Sequence, residues 1–366
     1  MLPKRWGSNC GSGRIWAPPL LFILACGTDA ESGPSTQQAE EEIPISGDLV
    51  AESAQPPVNI GVVDGDENLV FGSIRDVAVS GAGDVFVLDR LNMDVRWFDP
   101  TGRLMGRAGG KGQGPGEFFE PSALYVEADS AVVVLDPPRG RLTRYHLTND
   151  GLELGEVKSL GRWADEFCDL DSGYLVYGID LTNDAFLHRL GPGFEPILSF
   201  GELVRETPPE VVAATGRDAS AIHNKGTLLC RSNPETYFVL HAGIPWLRAF
   251  NPRGEEIWRL ALSGLHGMHR WVVQGSVVRN GPHPDFGVVD SGRALFPWGP
   301  DTLAVSTSRL DYKTYEWTYE VRLVRMEDGA ELDRFSAPMI VTGMDQEAFV
   351  GYRNYPFPQV VIARRP

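Results

Sequence analysis

The sequence predicts an all-β fold, a six-bladed β-propeller closed by an N-terminal strand that completes the last blade. Three observations predict it: a repeated unit, period-2 apolar alternation broken by two kinds of turn, and a last unit one strand short. Phe86, Val87, Leu88, Arg96, Phe98, Pro100 and Gly102 reappear, at the same internal spacing, as Phe238, Val239, Leu240, Arg248, Phe250, Pro252 and Gly254. Seven identities in nineteen positions mark a duplicated structural unit.

The first 25 residues carry Lys4, Arg5 and Arg14, no acid, and then the apolar run Leu20 to Ala25, the pattern of an export signal. The run is too short for a membrane span, which needs ~20 apolar residues. Ile23, Leu24, Ala25 and Cys26 resemble a bacterial lipoprotein lipobox, with Leu24 a less usual choice at its position. The resemblance implies cleavage before Cys26 and its lipidation. Gly27, rather than Asp, follows, which favours the outer membrane over inner-membrane retention. An ordinary secretion signal, with Cys26 merely near the cleavage point, is the alternative.

Residues 26–56 hold seven acids and no Lys or Arg, with Ser, Gln, Gly and Pro between them. Such a segment buries too little apolar surface to offset the entropy of ordering, so it reads as a flexible acidic tether. Formal net charge is -16 for the whole chain and -12 for residues 57–366, once the three basic signal residues and the seven tether acids are set aside. A body that acidic repels phosphate backbones, so nucleic acid is excluded as a partner class. Of four cysteines, Cys168 and Cys230 belong to the body. Export permits a disulfide between them, but the apolar strand context of each favours buried free thiols.

Residues 57–366 read as the propeller. One kind of turn joins an innermost strand to the next, at 80–84, 127–130, 169–173, 232–235, 299–301 and 344–346. The other ends in Gly102, Gly151, Gly193, Gly254 or Gly329, where a positive φ closes the hairpin without steric cost. Six turns of the first kind and five of the second leave the last unit without a fourth strand. The strand pattern within 58–71 supplies it, and closing the ring removes exposed sheet edges. Val85 to Asp89, Trp97 to Gly102 and the run Gly109 to Phe118 with Pro121 resemble an NHL repeat. The chain is thus similar to exported six-bladed propeller lipoproteins, a resemblance that implies fold far more than activity.

Gly109 to Gly116 fits no phosphate-loop or dinucleotide spacing, since Met105 stands where the first glycine of a P-loop would be. It reads as a close crossing between blades. The glycine hairpins are separated by 49, 42, 61 and 75 residues, which places extra chain at 201–226, 262–291 and 309–316. In a propeller all three emerge on one face, at one mouth of the central channel, and mark that face as the binding surface.

Candidate site residues follow from that geometry. His266, His269 and His283 crowd into one insertion, and a helix over 265–273 would put the first two on one face as metal ligands. A propeller lyase with NHL repeats uses histidine-bound metal, but no Cys or Glu completes a ligand set here. Asp89 and Asp136 end equivalent strands in adjacent blades, where His241 stands in the fourth; they hold a cation or, in the plainer reading, cap turns and pair with Arg90 or Arg139. Tyr312, Tyr315 and Trp317 offer rings to a sugar or peptide, or fill space between blades. The sequence thus favours a lipid-anchored, non-catalytic module without cofactor, acting in the bacterial cell envelope and meeting the membrane only through its anchor. Its partner is a protein, peptide or carbohydrate. The alternative is a hydrolase or lyase dependent on a divalent metal ion at the same face.

Overall fold

The computed structural model describes residues 35–38, 45–50, 55–127, 130–205, 224–273 and 277–365. The expected signal, Cys26 and most of the first insertion lie outside the described residues. Three short strands come first: β1 (Ser35–Gln38), β2 (Gly47–Asp48) and β3 (Val58–Ile60). Blade 1 comprises β4 (Ile74–Val79), β5 (Val85–Asp89), β6 (Asp94–Phe98) and β7 (Leu104–Gly109). Blade 2 comprises β8 (Ala123–Glu127), β9 (Ala131–Asp136), β10 (Arg141–Thr148) and β11 (Gly151–Ser159). Blade 3 follows with β12 (Glu166–Leu170), β13 (Gly173–Asp180), β14 (Ala185–Leu190) and β15 (Pro196–Glu202). Blade 4 has β16 (Gly226–Ser232), β17 (Glu235–His241), β18 (Trp246–Phe250) and β19 (Glu256–Ala261).

A hairpin of β20 (His269–Val273) and β21 (Val277–Gly281) stands between blades 4 and 5. Blade 5 has β22 (Val288–Pro297), β23 (Thr302–Asp311), β24 (Trp317–Arg325) and β25 (Glu331–Ala337). Blade 6 has β26 (Ile340–Met344), β27 (Ala348–Arg353) and β28 (Gln359–Arg364), and its fourth strand is β3, with Ile60 opposite Val360. The molecule is therefore all-β, a six-bladed propeller whose last blade is built from both ends of the folded region.

Each central strand is buried on both faces because it packs against two neighbouring blades; β5 and β9 are buried along their whole length. The apolar side chains sort into six clusters, one for each blade interface. Ile74 and Val87 meet Val350 and Ile362 across blades 1 and 6, and Phe86 and Leu88 meet Val132 and Val134 across blades 1 and 2. The ring has no single core, and its cohesion comes from these six seams, at roughly 25 cal/mol for each Å² of apolar surface removed from water.

The hairpin glycines Gly102, Gly254 and Gly329 take φ of 85°, 84° and 74°, as the repeat predicts. In blade 3 the left-handed residue is Phe194 (φ 65°) instead of Gly193, its ring stacked on Tyr174 at 4.7 Å between centroids. The run Gly109 to Phe118 is the crossing from blade 1 to blade 2. Glu117 folds its carboxylate back under the loop onto the Gly114 N–H (2.7 Å), where a Cβ on Gly112 would lie 1.9 Å from it. That carboxylate fills the hollow a phosphate would need.

Two expectations change. Parts of the acidic segment are strands: β1 runs parallel to β19 and β2 parallel to β25, each adding to the outer edge of its blade. Leu49 follows, buried in the cluster that holds Phe296 and Phe349. An outer edge offers unpaired N–H and C=O groups, and backbone pairing there does not depend on side-chain hydrophobicity. Cys168 and Cys230 are not free thiols but form a disulfide, Cα atoms 6.2 Å apart, joining the innermost strands of blades 3 and 4. Adjacent innermost strands run side by side, which brings the two Cα atoms within bridging range.

Candidate site at the channel mouth

The central channel widens into a cavity of about 400 Å³, within the range of small-molecule sites. Its rim carries Arg90, Pro137, Pro138 and Ala242 from the turns after the second strands, and Glu120, Trp163 and Lys225 from the connections between blades. These are the two kinds of connection that hold the insertions, so the cavity opens on the elaborated face.

Deeper in, the lining comes from the innermost strands. Arg75 and Asp76 come from β4, Glu166 from β12, Arg293 from β22, and Tyr352 reaches in from β27. A line of hydrogen bonds fixes this wall across four blades. The Tyr352 hydroxyl donates to the Arg75 carbonyl (3.5 Å), Arg75 Nε donates to the Ser122 carbonyl (3.1 Å), and Ser122 Oγ donates to the Asp165 carbonyl (2.9 Å). Arg293 is set from the other side, donating from Nε to Ser308 Oγ (2.6 Å) with its guanidinium 5.7 Å above the Trp317 ring.

Charge is unevenly satisfied here. Asp76 accepts from the backbone N–H of Val77 (2.8 Å) and Leu124 (2.9 Å), yet burial still raises its pKa. Burial, and then the negative charge of Asp76, push the Glu166 carboxyl well above the usual carboxylate range. Burial lowers the Arg293 pKa and raises that of Tyr352.

The residues singled out from the sequence fall into three groups. Asp89 and Asp136 are fully buried and tie down loops. Asp89 accepts from the backbone N–H groups of Gly72 (2.6 Å), Ser73 (3.0 Å), Leu91 (3.0 Å) and Asn92 (3.1 Å), and lies 3.7 Å from Arg96. Asp136 accepts from Phe119 and Glu120 N–H and pairs with Arg139 at 3.6 Å. Arg139 also donates to the Gly112 carbonyl, whereas Arg90 is exposed on the cavity rim. His241 is wholly buried, edge-on to Phe186, and neither ring nitrogen has a hydrogen-bond partner among the described residues. Burial, then Arg248, holds its pKa well below the ordinary histidine value.

The second group is the histidine insertion. His266 and His283 come together, ring centroids 5.7 Å apart, but Phe286 stacks on His266 at 3.7 Å. The helix expected over 265–273 does not form: Gly267 takes φ 68° and His269 begins β20, so the shared helical face for His266 and His269 falls away. The side chain of His269 lies outside the described residues. Among the described residues no three His, Cys, Asp or Glu side chains gather as a metal site.

The third group is aromatic. Tyr312 and Tyr315 are exposed at the β23–β24 turn, 6.2 Å apart, and Trp317 stacks on Tyr319 while supporting Arg293. Of the three, Trp317 alone is thus tied to a cavity residue. Arg75, Asp76, Glu166 and Arg293 escaped the sequence argument. Their signal is a charge in an innermost strand, at or near its start in β4 and β12, where apolar residues otherwise dominate.

The family described as a six-bladed β-propeller, DUF5128, matches residues 64–188. No curated protein sequence matches the chain. Among solved structures, the chain is similar to a Bacteroides fragilis protein put forward as exported, at 10% identity and a TM-score of 0.54, covering 87% of this chain and 98% of that one. It is similar as well to a DUF4221 member from Bacteroides vulgatus, at 11% identity and a TM-score of 0.54, with 84% and 96% covered. The family description agrees with the six blades of the fold, and the likeness to the two solved structures is one of fold alone.

Proposed function

We propose that this chain is an exported, lipid-anchored binding module of the bacterial cell envelope, which takes part of a peptide, protein or carbohydrate partner into the mouth of its channel. One observation carries the proposal: a cavity of about 400 Å³ on the elaborated face, lined by basic and acidic side chains with no salt bridge between them among the described residues. Structural ions elsewhere are paired, as Arg96 is with Asp94 at 3.1 Å. Function on rigid scaffolds concentrates in such mouths. The anchor rests on Cys26 and its lipobox-like context, and the N-terminal region of acids and small polar residues would hold the propeller off the membrane surface.

The test is a screen of envelope peptides and glycans against the soluble propeller, with hits mapped by hydrogen exchange. Protection is expected at the starts of β4 and β12 and along β22. Hits that protect only outer strands, or that bind the Lys225→Met, Arg293→Met double variant unchanged, refute the site. Mass spectrometry of the mature N-terminus tests the anchor, which an unmodified peptide starting elsewhere than Cys26 refutes.

A further inference from the structure

We infer that the cavity selects a small zwitterion, an α-amino acid or short peptide with both its ammonium and its carboxylate free; this deepens the binding proposal and rests on it. The inference starts from how arginine is used in this chain. Buried arginines elsewhere meet a carboxylate: Arg96 with Asp94 at 3.1 Å, Arg322 with Glu320 at 3.1 Å, Arg334 with Glu331 at 3.2 Å. The three arginines of the cavity lining, Arg75, Arg90 and Arg293, have no carboxylate within 4.0 Å among the described residues, and neither does Lys225.

The acids of the same cavity likewise have no salt-bridge partner among the described residues. Glu166 makes no side-chain hydrogen bond or ion pair with the described residues, and Asp165 accepts from the Trp163 indole (3.2 Å). Acidic and basic side chains therefore line one small space without a salt bridge between them, and burial keeps the Asp76 and Glu166 carboxyls toward their neutral forms until a cationic group arrives. In water such groups would close on one another for little gain. Here the backbone of four blades and the Arg293–Ser308 bond fix them separately.

A ligand of one sign gains from one set only, at close quarters in a partly desolvated space. A ligand carrying both signs meets both sets and adds no net charge. Its ammonium would lie toward Glu166, Asp165 and Asp76, and its carboxylate toward Arg293 and Lys225, with Arg75 between the two sets. Trp163 at the rim and Tyr352 below it offer ring surface to the rest of the molecule.

The experiment is isothermal titration of the propeller with a pool of the twenty α-amino acids and a pool of Ala-Xaa dipeptides, each compared with its N-acetylated and C-amidated forms. Maltose serves as a neutral control. At least one free-ended pool is expected to bind, and capping either end is expected to weaken it about 30-fold, equivalent to about 2 kcal/mol. Glu166→Gln should weaken the free ligand but leave the N-acetylated form unchanged. Arg293→Met should weaken the free ligand but leave the C-amidated form unchanged. This cross-pattern is one that a misfolded variant does not give.

Equal affinity for capped and free forms overturns the inference, as does failure of both pools to bind. If the pools fail while a neutral glycan protects the channel mouth from exchange, the binding proposal stands and the zwitterion falls. If nothing protects the mouth, both fall.

Discussion

Replacing Asp89 by alanine should destabilise the propeller strongly while leaving any ligand affinity intact. The carboxylate is fully buried and receives four backbone N–H groups, at 2.6 to 3.1 Å, from the turn after β5 and from the incoming loop at Gly72 and Ser73. It also receives Asn92 Nδ2 at 2.8 Å and sits 3.7 Å from the buried Arg96. Several of these donors lie near the surface and can turn to water, and Arg96 keeps Asp94 at 3.1 Å, so the losses do not simply add. Breaking a buried charged pair costs about 3–5 kcal/mol, which sets the estimate at about 4 kcal/mol. With an unfolding entropy of roughly 2.1 cal/mol/K per residue over some three hundred folded residues, the melting temperature should fall by about 6 °C. Asp89→Asn, which keeps one acceptor, should lose about half of that. Differential scanning calorimetry checks both. A fall of less than about 2 °C accompanied by lost ligand affinity would show that Asp89 serves the ligand instead, and would refute the structural assignment.

Three further outcomes are expected. His188 is fully buried, bound through Nδ1 to Ser199 Oγ (2.8 Å) and through Nε2 to the Gly178 carbonyl (2.7 Å), and burial followed by the Arg162 charge lowers its pKa to about 4. The folded state therefore binds fewer protons than the unfolded chain, so this stability is present above pH 6.5 and is lost as pH falls toward 4, by about 3 kcal/mol in all. NMR titration of the ring checks this, and a midpoint near 6.5 contradicts it. Opening the Cys168–Cys230 bridge, whose ends are 62 residues apart, by the Cys168→Ser, Cys230→Ser double substitution should cost about 4 kcal/mol of stability in denaturant melts; an unchanged midpoint refutes the bridge as a structural clamp. Glu166→Gln should raise the melting temperature at alkaline pH and leave it unchanged at acid pH. The raised carboxyl pKa means that stability is complete while Glu166 is protonated and is lost as pH rises through that pKa. A stabilisation that is greatest in acid would contradict the burial of its charge.

The fold was legible because its signals are local. Gly102 and Gly254 close equivalent hairpins at φ 85° and 84°, and the missing fourth strand of blade 6 pointed to β3. What escaped depends on contacts between units. Cys168 and Cys230 sit in different blades, and nothing within either strand announces that the two run side by side. The histidine pair misled because Gly267, at φ 68°, turns the chain where a helix would continue. The cavity charges stand in ordinary strand segments, such as Ile74-Arg75-Asp76-Val77. Their convergence appears only when the starts of six innermost strands are brought around one axis, and the sequence spreads those starts from Ile74 to Ile340.

Blade 6 pairs Ile60 with Val360, three hundred positions apart in the chain. A chain emerging from its N-terminus therefore holds five blades and an open gap until β28 arrives, and the seam that closes the circle is the last to form. Until then β3 has no partner, and the apolar flank of blade 1 that will meet Val350 and Ile362 lies bare. The same topology gives the young molecule a period of vulnerability to aggregation and the finished one a clasp: β3 and β28 run antiparallel with Val58 opposite Ile362, so both strands leave the pair at the same edge, and tension between those two residues opens it one hydrogen bond at a time.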